Sequence, residues 1–386
     1  MSNQKKRIAL TFGSGFVPGL NAVIEGVVLA GHKLGWEIIG IYDGFDGLLS
    51  PENYPEGGTI TLESELVHGL SGGSGCILGT SARMDPFHCR SVGNDNDVQE
   101  IDRSDELIAM LKKLQVDAII AVANNQSMSV LWKLSKKGLH VICIPKSAEN
   151  DFAATQLSFG FNSSLSFTSS LLDTAFQAAR SSSKIGVVEV LGEHAGWLAL
   201  QAGMAVCADS ILIPEIPYDI KKVAAQIKNK KQQHRHYGLV VVAEGARSIS
   251  EMEPEKRSAA ADSLKASLSP LATGAESSHV IDSSGSVSTQ VAKNLQRLTD
   301  TDTSLLVLSK LSLGGTPTVV DRQLGLAYGA SAIRALEMEQ RNVLVVFQPP
   351  ELKFISMAEA INQFRTVPAN SEFIRITRSL GISLGD

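Results

Sequence analysis

The sequence predicts an α/β protein made of mainly parallel sheets flanked by helices. Short runs of apolar, β-branched residues recur along the 386-residue chain and alternate with segments of helical length. Most runs are continuously apolar, which indicates strands covered on both faces, and helices between the strands supply that cover. Alternating units of this kind favour right-handed crossovers, and this many strands divide more easily between two sheets than within one. A two-lobed protein is therefore expected.

The predicted elements follow one another in regular alternation. The strands are expected at 7–12, 37–42, 118–123, 141–144, 185–190, 209–213, 239–243, 304–308 and 343–347. The helices are expected at 20–34, 104–114, 128–137, 166–180, 198–205, 220–228, 289–298 and 325–336. The segment 247–286 is rich in Ser, Ala and Glu, and it is expected to hold a surface helix with flexible flanks.

Composition excludes several classes of protein. The four cysteines are scattered without a C-x-x-C pair, so reduced thiols are expected rather than disulfides or a zinc site. The apolar run near the N-terminus is too short for a signal peptide or a membrane span, and a cytoplasmic protein without a membrane partner is expected. The net charge of -5 is small, and the one basic cluster at 228–236 suits a solvated helix end. No nucleic-acid partner is therefore expected.

Four predicted strands end in segments with unusual polar residues or glycines, at 13–19, 124–127, 145–151 and 189–197. Ligands of parallel α/β sheets collect at such ends because helix N-termini present free N–H groups there. The first segment matches neither the P-loop nor the dinucleotide-binding pattern, so a tight turn and a phosphate cradle are both open. In the second, the polar residues can be explained either as a helix cap or as ligand-binding residues. The third carries two carboxylates beside a lysine, which suits a catalytic base with a bound metal or phosphate, but equally helix capping and a surface ion pair.

In order along the chain, these segments resemble the ATP- and pyrophosphate-dependent 6-phosphofructokinases from about residue 6 to about residue 333. The matching segments are 18–24, 39–45, L-G-T-S-A-R at 78–83, V-E-V-L-G-E-H-A-G-W at 188–197, A-E-G at 243–245 and G-G-T-P-T-V-V-D-R at 314–322. The resemblance implies a donor-binding lobe at 1–160 plus 312–362 and an acceptor-binding lobe at 161–311 plus 363–386. It also implies an active site in a cleft. A homodimer or homotetramer is expected, in which a neighbouring subunit lends a basic residue.

On the donor side, the resemblance implies that ATP or pyrophosphate is bound by Gly13, Arg83, Asn124, Asn125, Gln126, Ser127 and Lys146. Asn125 replaces the family's metal-binding aspartate, and an amide oxygen brings no charge to Mg²⁺. Asp151 is then the remaining candidate metal ligand. Lys146 and Gln126 replace glycines of the ATP-dependent members, and the lysine is typical of the pyrophosphate-dependent branch. Pyrophosphate is therefore favoured over ATP.

Glu149 stands where the family has the aspartate that takes the proton from the sugar hydroxyl, and Asp151 is kept as in the family. Both are therefore candidate catalytic residues. A glutamate retains the chemistry of the base but reaches one methylene further, which suits a differently placed hydroxyl.

On the acceptor side, the candidate binding residues are Ser147, Lys184, Gly192, Glu193, His194, Glu244 and Lys310. Glu193, Ser304 and Leu313 replace the arginines that clasp a sugar 6-phosphate, and Lys310 is the cation left in its segment. An arginine fork is the group best matched to phosphate, so a sugar or sugar-like acceptor other than fructose 6-phosphate is expected. Lys184 aligns with the residue that a neighbouring subunit lends.

Three functions stay open. The first is a diverged phosphotransferase acting on a hydroxyl, the second a catalytically impaired ligand-binding or regulatory subunit, and the third a non-kinase biosynthetic enzyme. Structural roles compete at single positions as well: a surface ion pair for Arg83, packing for His194, and an ion pair between Asp321 and Arg322.

Overall fold

The computed structural model describes residues 5–54, 57–81, 85–92, 98–232, 235–252, 285–361 and 363–386. Two compact units make up the chain. The first comprises Met1–Ser147, Phe152–Ser163 and Gly314–Gln363, and the second comprises Ala148–Asp151, Ser164–Leu313 and Phe364–Asp386. The surface helix expected within 247–286 falls for the most part outside the described residues. The assignment of donor and acceptor roles to the units stays a prediction.

The strands and helices are numbered here in chain order. The strands are β1 (Arg7–Phe12), β2 (Glu37–Ile41), β3 (Thr59–Thr61), β4 (Cys89–Val92), β5 (Val98–Ile101), β6 (Ala118–Ala123), β7 (Val141–Ser147), β8 (Phe159–Gly160), β9 (Ile185–Val190), β10 (Ser210–Leu212), β11 (Gly238–Ala243), β12 (Thr303–Val307), β13 (Val343–Gln348) and β14 (Glu351–Ser356). The helices are α1 (Leu20–Lys33), α2 (Asp46–Leu49), α3 (Ser64–Val67), α4 (Ser104–Lys113), α5 (Asn125–Lys136), α6 (Phe161–Ser182), α7 (Trp197–Ala205), α8 (Ile220–Gln232), α9 (Ser286–Thr299), α10 (Val319–Glu337), α11 (Met357–Ala360) and α12 (Glu372–Ser379).

The first unit is built on a sheet with the strand order β14-β13-β7-β6-β1-β2-β3, and β8 adds to β7. The pairs from β13 to β2 are parallel, whereas β14 and β3 are antiparallel additions at the two edges. Every residue of β6 is buried. The carboxyl ends of β1, β6 and β7 therefore lie together at one edge of the sheet, and the segments that follow them meet there.

Helices α1 and α10 pack against each other at close range in the first unit. A Cβ at Gly26 of α1 would lie 2.4 Å from the carbonyl oxygen of Leu326, and one at Gly329 would lie 2.5 Å from the carbonyl oxygen of Val23. Such distances leave no room for a side chain. The glycines are therefore required for the two backbones to approach, which sets where α1 leaves the Gly13 loop.

The second unit is built on a four-stranded parallel sheet with the order β10-β11-β9-β12. Apolar side chains of β9 and β11 pack with those of α8 and α9 in one core cluster, which includes Ile185, Val240, Ile227 and Leu295. The carboxyl ends of β9, β11 and β12 again lie at one edge. The predicted α/β class with mainly parallel sheets is confirmed. Among the described residues, no helix is both long and apolar enough to cross a bilayer.

The basic cluster at 228–236 is not only a solvated helix end, and that prediction was wrong for two residues. The carboxylate of Asp209 is fully buried and forms ion pairs with Lys230 and with Arg235, the latter at 2.9 Å. It also accepts the N–H of Leu239 at 2.8 Å. Burying a carboxylate without partners is very unfavourable, so the lysine and arginine offset the cost of burying Asp209 just before β10.

The ion pair expected between Asp321 and Arg322 is not among the contacts of the described residues. Asp321 instead accepts the backbone N–H of Ser163 at 2.6 Å, and Arg322 donates to the carbonyl oxygen of Pro317 at 2.9 Å. Burial raises the pKa of Asp321, although hydrogen bonds, that from Ser163 foremost, oppose the shift. Asp321 thus joins the start of α10 to the start of α6.

Candidate active site

Lys146 lies at the carboxyl edge of the first unit's sheet and contacts the loop that follows β1. Its side chain is 1% exposed, and the ammonium donates to the carbonyl oxygen of Gly13 at 2.6 Å and to that of Gly15. β7 reaches this point because Lys146 and Ser147 pair with Phe159 and Gly160 of β8, which extends the strand three residues beyond its predicted end. Lys146 therefore holds the Gly13 loop against the end of β7.

The environment of Lys146 changes its protonation. Burial lowers the pKa of Lys146 to about 7, and the nearby Cys76 opposes this only in part. An ammonium has three N–H donors, and the two carbonyl oxygens of the loop take two of them. Within the described part of the chain the third N–H has no acceptor, and the charge of an anionic ligand placed there would raise the pKa again. Lys146 therefore holds the loop in place, and binding of phosphate by its ammonium stays a prediction.

Asn124 caps helix α5. Its side-chain oxygen accepts the backbone N–H of Ser127 at 2.9 Å, and this cap starts the helix at Asn125, three residues before its predicted start. The hydroxyl of Ser14 lies 3.3 Å from the hydroxyl of Ser127 and 3.5 Å from the amide nitrogen of Asn124. The structure thus brings together Gly13, Asn124, Ser127 and Lys146, which were all predicted on the donor side.

The other donor-side residues differ in exposure. Asn125 is buried in the first turn of α5, whereas Gln126 is exposed. Arg83 lies outside the described residues. Among the described residues, no group of three or more His, Cys, Asp or Glu side chains is placed to hold a metal ion. Because Mg²⁺ is commonly held by one or two carboxylates together with substrate phosphates, the pairing of Asp151 with a metal stays a prediction.

Four carboxylates gather in the second unit. The Glu149 carboxylate accepts the backbone N–H of Glu193 at 3.2 Å. Burial, followed by the negative charges of Asp151, Glu244 and Glu193, raises the pKa of Glu149 well above its ordinary value. Only the hydrogen bond from Glu193 acts in the opposite direction among these causes. Glu149 is therefore a strong base when ionised, and it takes up a proton more readily than an ordinary glutamate.

The strand ends of the second unit bring the acids together. Gly192 has a φ of 145°, which favours glycine and turns the chain after β9. A Cβ at Gly245 would lie 2.1 Å from the carbonyl oxygen of Glu193, so this glycine lets the segment after β11 approach the segment after β9. The N–H of Glu244 donates to the carbonyl oxygen of Val190 at 3.0 Å.

Glu189 supports the turn that carries Glu193. Its side chain is 1% exposed and accepts the backbone N–H of Ser288 at 3.1 Å and the hydroxyl of Ser288 at 2.6 Å, with a further bond from Gly285. These donors belong to the N-terminus of α9, where a negative charge is favourable. The end of β9 is thereby anchored to the start of α9, shortly before the chain reaches Glu193.

The remaining acceptor candidates lie in different places. Ser147 is buried at the end of β7 in the first unit. Lys310 is exposed beyond the carboxyl end of β12, at the same edge as the acids. Lys184 precedes β9, and a six-residue strand spans about 20 Å, so within one chain Lys184 lies at the opposite edge of the sheet. The structure therefore does not bring Lys184 to the acids of its own unit.

His194 packs against an aromatic ring. Its ring lies edge-on to Phe364, with centroids 4.6 Å apart.

Arg365, next to Phe364 in sequence, was missed by sequence reasoning. Its backbone N–H donates to the carbonyl oxygen of Asp151 at 2.7 Å, and its guanidinium lies 4.5 Å from the ring centroid of Trp197. No motif marks this segment, because its position depends on tertiary contacts made far along the chain.

The two groups of residues have complementary chemistry. The donor-side group offers backbone N–H groups at the start of α5, two hydroxyls and the Lys146 ammonium, which suit phosphate oxygens. The group around Glu149 offers a base of raised pKa and further carboxylates that accept hydrogen bonds from hydroxyls. Phosphoryl transfer to a hydroxyl needs these two kinds of group.

Comparisons with known proteins identify relatives of this chain. The family model for phosphofructokinase matches residues 7–336. The chain is 33% identical over 386 residues to an ATP-dependent 6-phosphofructokinase of Chloroflexus aurantiacus, covering 100% of this chain and 99% of that protein. It is 33% identical over 387 residues to an ATP-dependent 6-phosphofructokinase of Spirochaeta thermophila, covering 99% of each.

Solved structures show the same fold. A phosphofructokinase of Saccharomyces cerevisiae superposes with a TM-score of 0.71 at 24% identity, covering 92% of this chain and 45% of that one. A pyrophosphate-dependent phosphofructokinase of Marinobacter aquaeolei superposes with a TM-score of 0.70 at 17% identity, covering 98% and 92%. The match of the family model over most of the chain, with relatives matched over their whole length, leads to one conclusion: this chain belongs to the phosphofructokinase family.

Proposed function

We propose that this chain is a phosphotransferase that moves a phosphoryl group onto a hydroxyl of a sugar or sugar-like polyol, with Glu149 as the general base. The observation that carries the proposal is the position of Glu149. Its carboxylate is oriented by the N–H of Glu193 at 3.2 Å, and its pKa is raised by burial and by three neighbouring acids. Catalytic bases are tuned upward in this way so that they gain basicity near neutral pH.

The reaction is a direct displacement. The acceptor hydroxyl oxygen forms a bond to phosphorus as its proton passes to a carboxylate oxygen of Glu149, and the bond from phosphorus to the leaving phosphate oxygen breaks. Lys146 and the N-terminus of α5 stabilise negative charge on the donor. Phosphoryl transfer depends mainly on positioning and electrostatics, which these groups supply without covalent catalysis.

The acceptor that suits these residues lacks a phosphate. Glu193 replaces a phosphate-binding arginine of the family and adds to the negative charge around Glu149. Carboxylates repel a phosphate but accept hydrogen bonds from hydroxyls. Glu244 is proposed to hold an acceptor hydroxyl, and Asp151 to keep the pKa of Glu149 high. Fructose 6-phosphate is therefore not the preferred acceptor.

Pyrophosphate is proposed as the preferred donor, although the relatives at 33% identity are named ATP-dependent. The stem of Lys146 fills space beside Gly13 and Gly15 that a glycine would leave open for a larger donor. The ammonium retains a donor for a small, highly charged anion. Magnesium, if it takes part, would enter with the donor phosphates.

The working form is proposed to be a cytoplasmic homodimer or homotetramer. Lys184 lies at the edge of the second unit's sheet away from Glu149 of the same chain. It is therefore suited to serve a neighbouring copy, as the resemblance implies.

A second candidate is a ligand-binding or regulatory subunit without transferase activity. It is favoured by Asn125, which is buried at the position of the family's metal-binding carboxylate.

An assay of the purified chain separates the two candidates. Pyrophosphate and ATP, each with magnesium, are offered with a panel of unphosphorylated and phosphorylated sugars and polyols, and phosphorylated products are detected by mass. Turnover of an unphosphorylated acceptor, faster with pyrophosphate than with ATP, is expected. Ligand-induced stabilisation without any product would favour the regulatory subunit instead.

A further inference from the structure

A cleft lies at the amino edge of the first unit's sheet, opposite the edge that carries Lys146. Its volume is about 320 Å³, and it is lined at the starts of β1 and β6, before β7, and after the end of α10. This size suits a small metabolite. Ile8 and Leu336 form an apolar floor, and charged side chains surround it.

Three side chains that can carry positive charge line the cleft. The Lys6 ammonium lies 4.8 Å from the ring centroid of Trp36 and 3.4 Å from the carbonyl oxygen of Leu336. The guanidinium of Arg341 is exposed and makes no hydrogen bond or ion pair with a residue that the structure describes. His140 is the third. Lys6 is thus held in place, and no residue in the described part of the chain accepts a hydrogen bond from the Arg341 guanidinium.

The tautomer of His140 follows from its contact. Nε2 lies 2.8 Å from the carbonyl oxygen of Gln340, and because a carbonyl only accepts, Nε2 carries the hydrogen. Nδ1 then holds a lone pair in the neutral ring and becomes a donor when the ring is protonated. Burial lowers the pKa of His140, the charges of Arg341 and Lys6 lower it further, and the hydrogen bond to Gln340 opposes them.

Two carboxylates complete the lining. Asp117 accepts the backbone N–H of Arg7 at 2.8 Å, which leaves lone pairs on both of its oxygens. Glu339 stands in a left-handed turn with a φ of 56° that follows α10. Cations and carboxylates therefore face the same cleft, an arrangement suited to a ligand that carries an anionic group and hydrogen-bond donors together.

We propose that this cleft binds a small hydroxylated organic anion, whose phosphate or carboxylate contacts Lys6, Arg341 and His140 and whose hydroxyls donate to Asp117 and Glu339. An arginine fork and an ammonium are the groups best matched to such an anion. The site is separate from the proposed donor residues of the same unit, which lie at the other end of the strands. It is therefore suited to an effector rather than to the phosphoryl donor.

Anion binding and protonation of His140 are coupled in this arrangement. Lys6 and Arg341 oppose protonation of the ring in the ligand-free protein, whereas Asp117 and Glu339 are the acids that face the cleft. A bound anion offsets the two cations, so its binding raises the pKa of His140. The histidine resonance is thus a local reporter of occupancy.

The test uses the full chain with glycerol 3-phosphate, inorganic phosphate and glycerol as probes in calorimetric titrations. Glycerol 3-phosphate is expected to bind more tightly than inorganic phosphate, and glycerol alone is not expected to bind. Arg341→Ala should weaken glycerol 3-phosphate binding by about tenfold or more, the loss expected for a charged contact. Arg297→Ala, an exposed arginine of the second unit, serves as the matched control and should leave the affinity unchanged.

The histidine resonance, assigned with a His140→Gln variant, localises the binding. It should shift with glycerol 3-phosphate in the native chain and in Lys146→Met, which alters the donor side. Absence of binding, an equal loss in both arginine variants, or an unmoved His140 resonance would overturn the proposal. Equal affinity for inorganic phosphate and glycerol 3-phosphate would contradict the role given to Asp117 and Glu339.

Discussion

The backbone N–H of Glu193 donates a hydrogen bond of 3.2 Å to Oε2 of Glu149. The same glutamate therefore orients the proposed base through its main chain and raises the base's pKa through its side-chain charge. The two effects oppose each other in sign, but burial and the charges of Asp151, Glu244 and Glu193 together exceed the hydrogen bond. The replacement of the family's arginine by Glu193 therefore affects the basicity of Glu149.

The pH dependence of the rate follows from the raised pKa of Glu149. The base is active when ionised, so turnover should rise as pH increases through this raised pKa and not level off near the ordinary glutamate value of about 4.3. Asp151→Asn removes the neighbouring charge with the largest effect on the pKa of Glu149 and should move the acidic limb to lower pH. A pH–rate profile of both proteins checks this. An unmoved acidic limb would show that another group controls it.

Glu149 should also lower the free energy of unfolding at neutral and higher pH. Its pKa is higher in the folded than in the unfolded chain, so stability is lost as pH rises through the folded pKa and the carboxylate must ionise. Glu149→Gln should therefore raise the melting temperature by several degrees at pH 8 and by less at pH 5. Thermal denaturation at the two pH values tests this, and equal shifts would contradict the assignment.

The lowered pKa of Lys146 predicts how the affinity for the phosphoryl donor depends on pH. Its pKa is lowered to about 7, so its charge is present below this value and is lost above it. Pyrophosphate should bind less tightly as pH rises through about 7, and Lys146→Met should lose affinity by about tenfold together with this dependence. Lys112→Met, at an exposed position on α4, is the control. Since pyrophosphate itself titrates, the difference between the variants at each pH is the quantity to compare.

One of the phosphate-binding arginines that the family has and this chain lacks can be restored by mutation at position 193. Glu193→Arg should increase the affinity for sugar phosphates by about tenfold, because it removes a repulsive charge and adds a fork of donors. Glu193→Gln removes the charge alone and should give a smaller gain. Competition binding with fructose 6-phosphate distinguishes the two. An equal gain in affinity for the two variants would mean that the side chain at position 193 does not contact the acceptor phosphate.

Glu189 should matter for stability rather than for chemistry. Its buried carboxylate accepts hydrogen bonds from Gly285 and Ser288 at the start of α9. Glu189→Ala leaves these donors without a partner and should lower the free energy of unfolding by about 2–3 kcal/mol, whereas Ser288→Ala should cost about 1 kcal/mol. Urea denaturation measures both. Losses below those of the exposed control Glu337→Ala would refute the anchoring role.

The apolar runs predicted most of the sheet strands because burial on both faces leaves a direct mark in the sequence. β3 and β14 were not foreseen, since each is an antiparallel edge addition with polar, partly exposed residues. Asn124 was foreseen as either a cap or a ligand-binding residue, and the structure shows the cap. Its role toward a ligand stays a prediction, as do the roles of the other site residues.

Contacts between distant charged residues were the hardest to foresee. The ion pairs of Asp209 with Lys230 and Arg235 join segments separated in sequence, and no local pattern distinguishes them from a solvated helix end. The same holds for Asp321, whose partner Ser163 belongs to another helix. Sequence reasoning grouped the acids at 149, 151, 193 and 244 only through the family resemblance. Their mutual effect on the pKa of Glu149 required the structure.

The most direct test of the account is the rate of phosphoryl transfer in Glu149→Gln. With the best donor and acceptor pair, turnover should fall by about 10²- to 10⁴-fold, the range expected for loss of a general base. Acceptor and donor affinities should stay within a few fold, and Glu65→Gln, at an exposed position, should retain full activity. Turnover of Glu149→Gln equal to that of the native chain would contradict the assignment of Glu149 as the base.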